Sequence, residues 1–119
     1  MSIERRREVV KRVAKIRRAE LDQRRAALVD ARDAVAAAGK ALETLDRNAA
    51  SLAATVRGEP DLLVQLSEEV LLKGQDLDQR LLREEARLLA AQDRVVEARG
   101  ELRTAELFLD RNQIGRAHV

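Results

Sequence analysis

Apolar residues recur in this chain at alternating spacings of three and four. One run follows Leu21, Leu28, Ala31, Val35, Ala38, Leu42, Leu45, Ala49, Leu52 and Val56; a second follows Leu63, Val70, Leu77, Leu81, Leu88, Ala91, Val95, Ala98, Leu102, Ala105 and Leu109. This is the a/d pattern of a heptad, and a helix carrying it buries that stripe only against another helix. Between the two runs stands the only proline, Pro60, preceded by Gly58 and Glu59. Glycine past one helix and proline at the first position of the next mark an end and a restart. Asp61 and Glu59 place negative charge at the second helix's N-terminus, where the exposed N–H groups favour it. The expected fold is all-α, a long antiparallel two-helix coiled-coil hairpin forming a single domain. Its boundaries are expected at about 3–57 for helix 1, 58–60 for the turn and 61–113 for helix 2. At 1.5 Å of rise per residue each arm would reach roughly 85 Å.

A turn centred between Glu59 and Pro60 pairs residues whose numbers sum to 119, which brings a positions opposite d positions. Leu21 then meets Ala98, Leu28 meets Ala91, Ala31 meets Leu88, Ala38 meets Leu81 and Leu45 meets Gly74. Large faces small in each layer, the arrangement that lets two helices approach without voids. Gly74, which costs about 1 kcal/mol inside a helix, is expected to make room for Leu45. Three layers are expected to be loose, with Arg17, Arg24 and Glu84 on d positions. Val9, Val13 and Ile16 lie one residue out of step with the seam, so a local stutter or straightening is expected there.

Composition supports this architecture: 37% of residues are charged, 1% are aromatic, and Phe108 is the only aromatic residue. That balance suits a coiled coil better than a globular core. Cysteine is absent, which excludes disulfides and thiolate chemistry. No uninterrupted apolar stretch follows the basic N-terminus, so neither a signal peptide nor a membrane span is expected. The chain is expected to stay soluble in the cytoplasm, without stable membrane insertion.

Charge is segregated. Residues 1–25 hold ten Lys/Arg against four acidic residues, while nine basic residues face thirteen acidic ones from Gly58 onward. Oppositely charged arms favour the antiparallel pairing. Folding gathers Arg5, Arg6, Arg7, Lys11, Arg12, Lys15 and Arg18 at the end that holds both termini, joined by Arg111 and Arg116. A basic region leading into heptads also admits a nucleic-acid reading of the leucine-zipper type. The acidic residues interrupting it, and a base-reading repertoire limited to Gln23, argue against that reading.

The second arm carries more leucine than one partner helix can cover. Leu82, Leu89 and Val96, at seven-residue spacing, remain over for a second hairpin, giving a homodimer, or for another protein.

Catalysis requires titratable groups that converge in a sheltered site, and a two-helix rod provides none. His118, the only histidine, is penultimate and expected to be idle. Ser2, Ser51 and Ser67 have no neighbouring base, and there is no phosphate-binding glycine loop or metal-ligand spacing. The chain is therefore expected to be non-enzymatic, with no cofactor, metal or small-molecule ligand.

The segment Val10-Lys11-Arg12-Val13-Ala14-Lys15-Ile16-Arg17-Arg18-Ala19-Glu20 resembles the basic opening of the type III secretion central stalk proteins, the YscO and FliJ family. Residues Ala98 to Arg111, with the Phe108-Leu109 pair, resemble that family's closing segment. The resemblance implies a stalk whose terminal end enters the pore of a hexameric secretion ATPase and whose turn end meets a membrane export gate. Pore contacts would come from Arg5, Arg6, Arg7, Lys11, Arg12, Lys15 and Arg18 with Phe108 and Arg111. Gate contacts would come from Arg57, Glu59, Asp61, Leu62 and Leu66. The expected location is cytoplasmic, peripheral to the membrane-embedded apparatus. The family's extended polar C-terminal tail has no counterpart here, so its chaperone-escort role is not carried over. The rival expectation is a self-associating coiled-coil scaffold.

Overall fold

The computed structural model describes residues 2–117, with side chains described through Arg111. Two helices, α1 (Ile3–Thr55) and α2 (Pro60–Ala117), pack against each other in an antiparallel hairpin. Ser2 caps α1: its hydroxyl accepts the Arg5 N–H at 3.3 Å and its carbonyl accepts the Arg6 N–H at 3.2 Å. A serine oxygen in this position satisfies a donor that the first turn leaves unpaired.

The reversal occupies Val56 to Glu59. The Val56 N–H donates to the Leu52 carbonyl at 3.0 Å and the Glu59 N–H to the Val56 carbonyl at 2.9 Å. The Glu59 carbonyl then accepts the Leu63 N–H at 3.1 Å, making Glu59 the cap and Pro60 the first helical residue, where a missing N–H costs nothing. Relative to the sequence expectation, α1 stops two residues earlier, and α2 starts one residue earlier and continues to Ala117. Gly58 has no positive φ, so the chain reverses without the left-handed cap that glycine often supplies.

The chain divides into two compact units. The terminal unit joins the residues up to Val29 with those from Leu89 onward; the turn unit is Asp30–Leu88. In the terminal unit Leu21, Val95 and Ala98 form a buried cluster, with Leu28 and Leu102 packed against it. Ala91 and Ala105 are also buried there. In the turn unit Ala31 and Ala38 are completely covered, at 0% exposure. The most buried side chains are mostly alanines because a single partner helix covers the centre of the seam but not its edges. Leucines of the same unit such as Leu81 and Leu88 stay half-buried.

Four details differ from the sequence reading. No stutter is needed near the N-terminus: half-buried Val10, Ala14 and Arg17 continue the seam in step with Leu21, while Val9, Val13 and Ile16 are exposed. On α2 of the same unit Leu102 and Leu109 are half-buried and Ala105 is buried, so the inward frame leaves the larger side chains one residue away outside. Arg24, placed on the seam by its spacing, is exposed, and Val95 buries itself against Leu21 instead. Near the turn Leu52 is exposed, and half-buried Ala53 and Leu66 take the layer. Finally, Leu45 does lie over Gly74, but a Cβ on Gly74 would sit 3.8 Å from Leu45 Cδ2, an ordinary contact. The layer therefore tolerates more volume than the glycine supplies.

Candidate functional site

The basic segment sits on the capped first turns of α1. Successive residues on a helix point 100° apart, so consecutive arginines fan around the axis instead of forming one stripe. Arg5, Arg6, Lys11, Arg12, Lys15 and Arg18 are exposed, and Arg7 is half-buried. The Arg7 Nε is shielded from solvent and has no hydrogen-bond partner among the described residues.

Two of the cations are committed to holding the helices together. Arg17 Nη1 donates to Glu20 Oε2 at 3.0 Å and to Glu101 Oε2 of α2 at 3.1 Å. The hydrogen bond to Glu20 raises the Arg17 pKa above its ordinary value; the charges of Glu101 and Glu20 add to this, and desolvation opposes it. Arg18 Nη2 donates to Glu106 Oε1 at 3.2 Å. Arg17 had looked like a defect in the seam; its stem packs there while its head spans the two helices. Arg5, Arg6, Arg7, Lys11, Arg12 and Lys15 make no ion pair with any described residue.

Phe108 and Arg111 of α2 are exposed in the same unit. Arg116 and His118 lie outside the residues whose side chains are described. A groove of about 550 Å³ opens beside the seam, with Val13 and Arg17 on α1 and Glu97, Gly100, Glu101, Thr104, Ala105 and Phe108 on α2. Sequence reasoning missed this groove. Its one signal was Val13, an apolar residue outside the seam that had been attributed to a change of phase.

In the turn unit Arg57, Glu59, Asp61 and Leu62 are exposed, whereas Leu66 is half-buried in the seam. Leu82, Leu89 and Val96 are each about two-thirds exposed, at 65%, 63% and 67%. Among the described residues no group of three His, Cys, Asp or Glu side chains could hold a metal ion, and no helix is long and apolar enough to cross a membrane. No family model, curated protein or solved structure matches this chain.

Proposed function

We propose that the chain is the non-enzymatic central stalk of a type III secretion system, seating its basic terminal unit in the hexameric secretion ATPase and linking that ring to the export gate. The observation that carries this reading is the exposed set Arg5, Arg6, Lys11, Arg12 and Lys15. These cations have no ion-pair partner among the described residues, and they share a unit with exposed Phe108 and Arg111. Cations left over after the helices have been tied together are available to acidic or carbonyl-rich loops of a partner. At the turn, Arg57, Glu59, Asp61 and Leu62 would meet the gate, and Leu66 would support them from the seam. A stalk of this kind couples ring and gate by binding some of their conformations better than others.

Reversing Arg6, Arg7 and Lys11 to Glu should abolish stimulation of the secretion ATPase while circular dichroism reports unchanged helicity. Undiminished stimulation by a folded variant would sink the contact assignment.

The second reading, a self-associating scaffold, is favoured by the exposure of Leu82, Leu89 and Val96. Under that reading light scattering gives a dimer that Leu89→Lys dissociates; a monomeric wild type removes it. Zipper-type nucleic-acid binding fits less well. It needs a free helix for the major groove, and α2 packs along this one, with Glu101 and Glu106 holding Arg17 and Arg18.

A further inference from the structure

Two exposed faces, one in each unit, carry the same spacing with opposite charge. On α1 in the terminal unit, Arg5, Val9, Arg12 and Ile16 follow one another at steps of four, three and four, so they share one helical face. On α2 in the turn unit, Asp61, Val64, Glu68 and Leu72 follow at steps of three, four and four and share another. All eight lie off the seam and are exposed. Arg5, Arg12 and Ile16 stand 56 residues, or eight heptads, before Asp61, Glu68 and Leu72, and Val9 stands 55 before Val64. Laid side by side and parallel, the two faces put cation against carboxylate at two levels and apolar against apolar at two, over about 16 Å.

The neighbouring sequence sharpens the contrast. Between Arg5 and Arg18 eight cations accompany one carboxylate, whereas between Glu59 and Leu72 four carboxylates accompany no Lys or Arg. Arg5, Arg12, Asp61 and Glu68 make no ion pair with a described residue, so neither face is neutralised within the chain. One chain cannot join its own two faces in parallel, because its α1 and α2 run antiparallel and pack through the seam. The complement has to come from another molecule, and every other copy of this chain carries it in the matching order.

We propose that the terminal unit of one copy docks on the turn unit of a second copy, with Arg5 over Asp61, Arg12 over Glu68, Val9 on Val64 and Ile16 on Leu72. Charge complementarity selects which faces meet, and the interleaved apolar residues set the register. Unlike patches meet, which makes the contact heterologous, and like charge keeps each face from pairing with its own kind. A contact of this size falls below about 1,000 Å² and is weak. It is separate from Leu82, Leu89 and Val96 and does not rest on the stalk reading. Where that reading holds, a docked copy covers Arg5 and Arg12, so self-assembly and engagement of the ring exclude each other.

The test follows the mass of the full chain by light scattering in a concentration series at low salt, where exposed charges are least screened. The wild type should exceed the monomer mass there and return to it at about 0.5 M salt. Arg5→Glu with Arg12→Glu should weaken association about tenfold or more, as should Asp61→Lys with Glu68→Lys. An equimolar mixture of these two doubly substituted chains should restore it, since each reversed face finds its complement on the other chain. Arg32→Glu with Lys40→Glu changes as much charge at exposed positions away from both faces and should associate like the wild type. Ile16→Ser alters no charge and should weaken association about fivefold; it decides the matter if the reversals lower helicity. A monomeric wild type at low salt, a mixture that stays monomeric, or equal losses in the Arg32, Lys40 and Arg5, Arg12 variants would overturn the proposal. So would dissociation by Leu89→Lys alone, which would assign the contact to the exposed leucine strip.

Discussion

In the terminal unit two arginines of α1 reach carboxylates on α2, and five buried residues, Leu21, Ala91, Val95, Ala98 and Ala105, line the seam. In the turn unit the described residues make no ion pair between the helices; Arg87–Glu84, at 3.4 Å, lies within α2, and the buried residues are Ala31 and Ala38. Distance along the chain accounts for the contrast. The contact of Leu45 with Gly74 closes a loop of 29 residues, whereas Arg17 and Glu101 are 84 apart. Closing the longer loop costs about 1 kcal/mol more in chain entropy. Near the turn the covalent connection keeps the helices together, and sparse packing suffices. Far from it, burial has to hold them, with the exposed cross-helix ion pairs adding a little, and that unit also carries the unpaired cations of the N-terminal segment.

The largest expected effect comes from removing the terminal unit's anchor. Leu21→Ala deletes the one leucine in the buried cluster with Val95 and Ala98 and should cost about 2–3 kcal/mol, read by urea denaturation followed by circular dichroism. Leu82→Ala removes the same atoms from an exposed site and should stay within about 0.5 kcal/mol of wild type. If Leu82→Ala cost as much as Leu21→Ala, the exposed strip would be covered in solution, and the scaffold reading would gain.

The seam that makes Leu21 an anchor could be read from spacing alone, as could the turn at Pro60 and the large-to-small layers. These follow from a repeat that one helical period and one break determine. The N-terminal frame could not be read this way. Val9, Val13 and Ile16 outweigh Val10 and Ala14 in apolar size, and only burial in the folded hairpin reveals which set faces inward. The roles of Arg17 and Arg18 were equally hidden, because spacing marks a charged residue on or near a seam without naming the carboxylate on the other helix that holds it. Phe108 was singled out as a lone aromatic; that it faces Val13 across a groove depends on both helices at once.

A smaller effect tests how tightly the turn unit is packed. Because the added methyl at Gly74 would rest 3.8 Å from Leu45 Cδ2, Gly74→Ala should stabilise the hairpin by about 0.5–1 kcal/mol through helix propensity. The gain would confirm that this unit tolerates extra volume, in keeping with its sparse burial. A loss in the same denaturation assay would mean that Leu45 uses all the space, and the contrast between the units would narrow.

The smallest expected effect isolates the ion pairs. Glu101→Gln keeps the shape of the side chain and removes the charge facing Arg17. Exposed pairs contribute little and are screened by salt, so the variant should melt slightly below wild type in dilute buffer and coincide with it at 1 M salt. On the arginine side pH is a poor probe. A raised arginine pKa gives stability that is fully present below the ordinary arginine range and is lost only as pH climbs through the still higher folded value. The Arg17 contribution is therefore constant across neutral pH, and ionic strength is the variable that exposes it. A deficit in Glu101→Gln that persisted at 1 M salt would show that Arg17 and Glu101 hold the helices by packing rather than charge. The terminal unit would then differ from the turn unit only in how much apolar surface it buries.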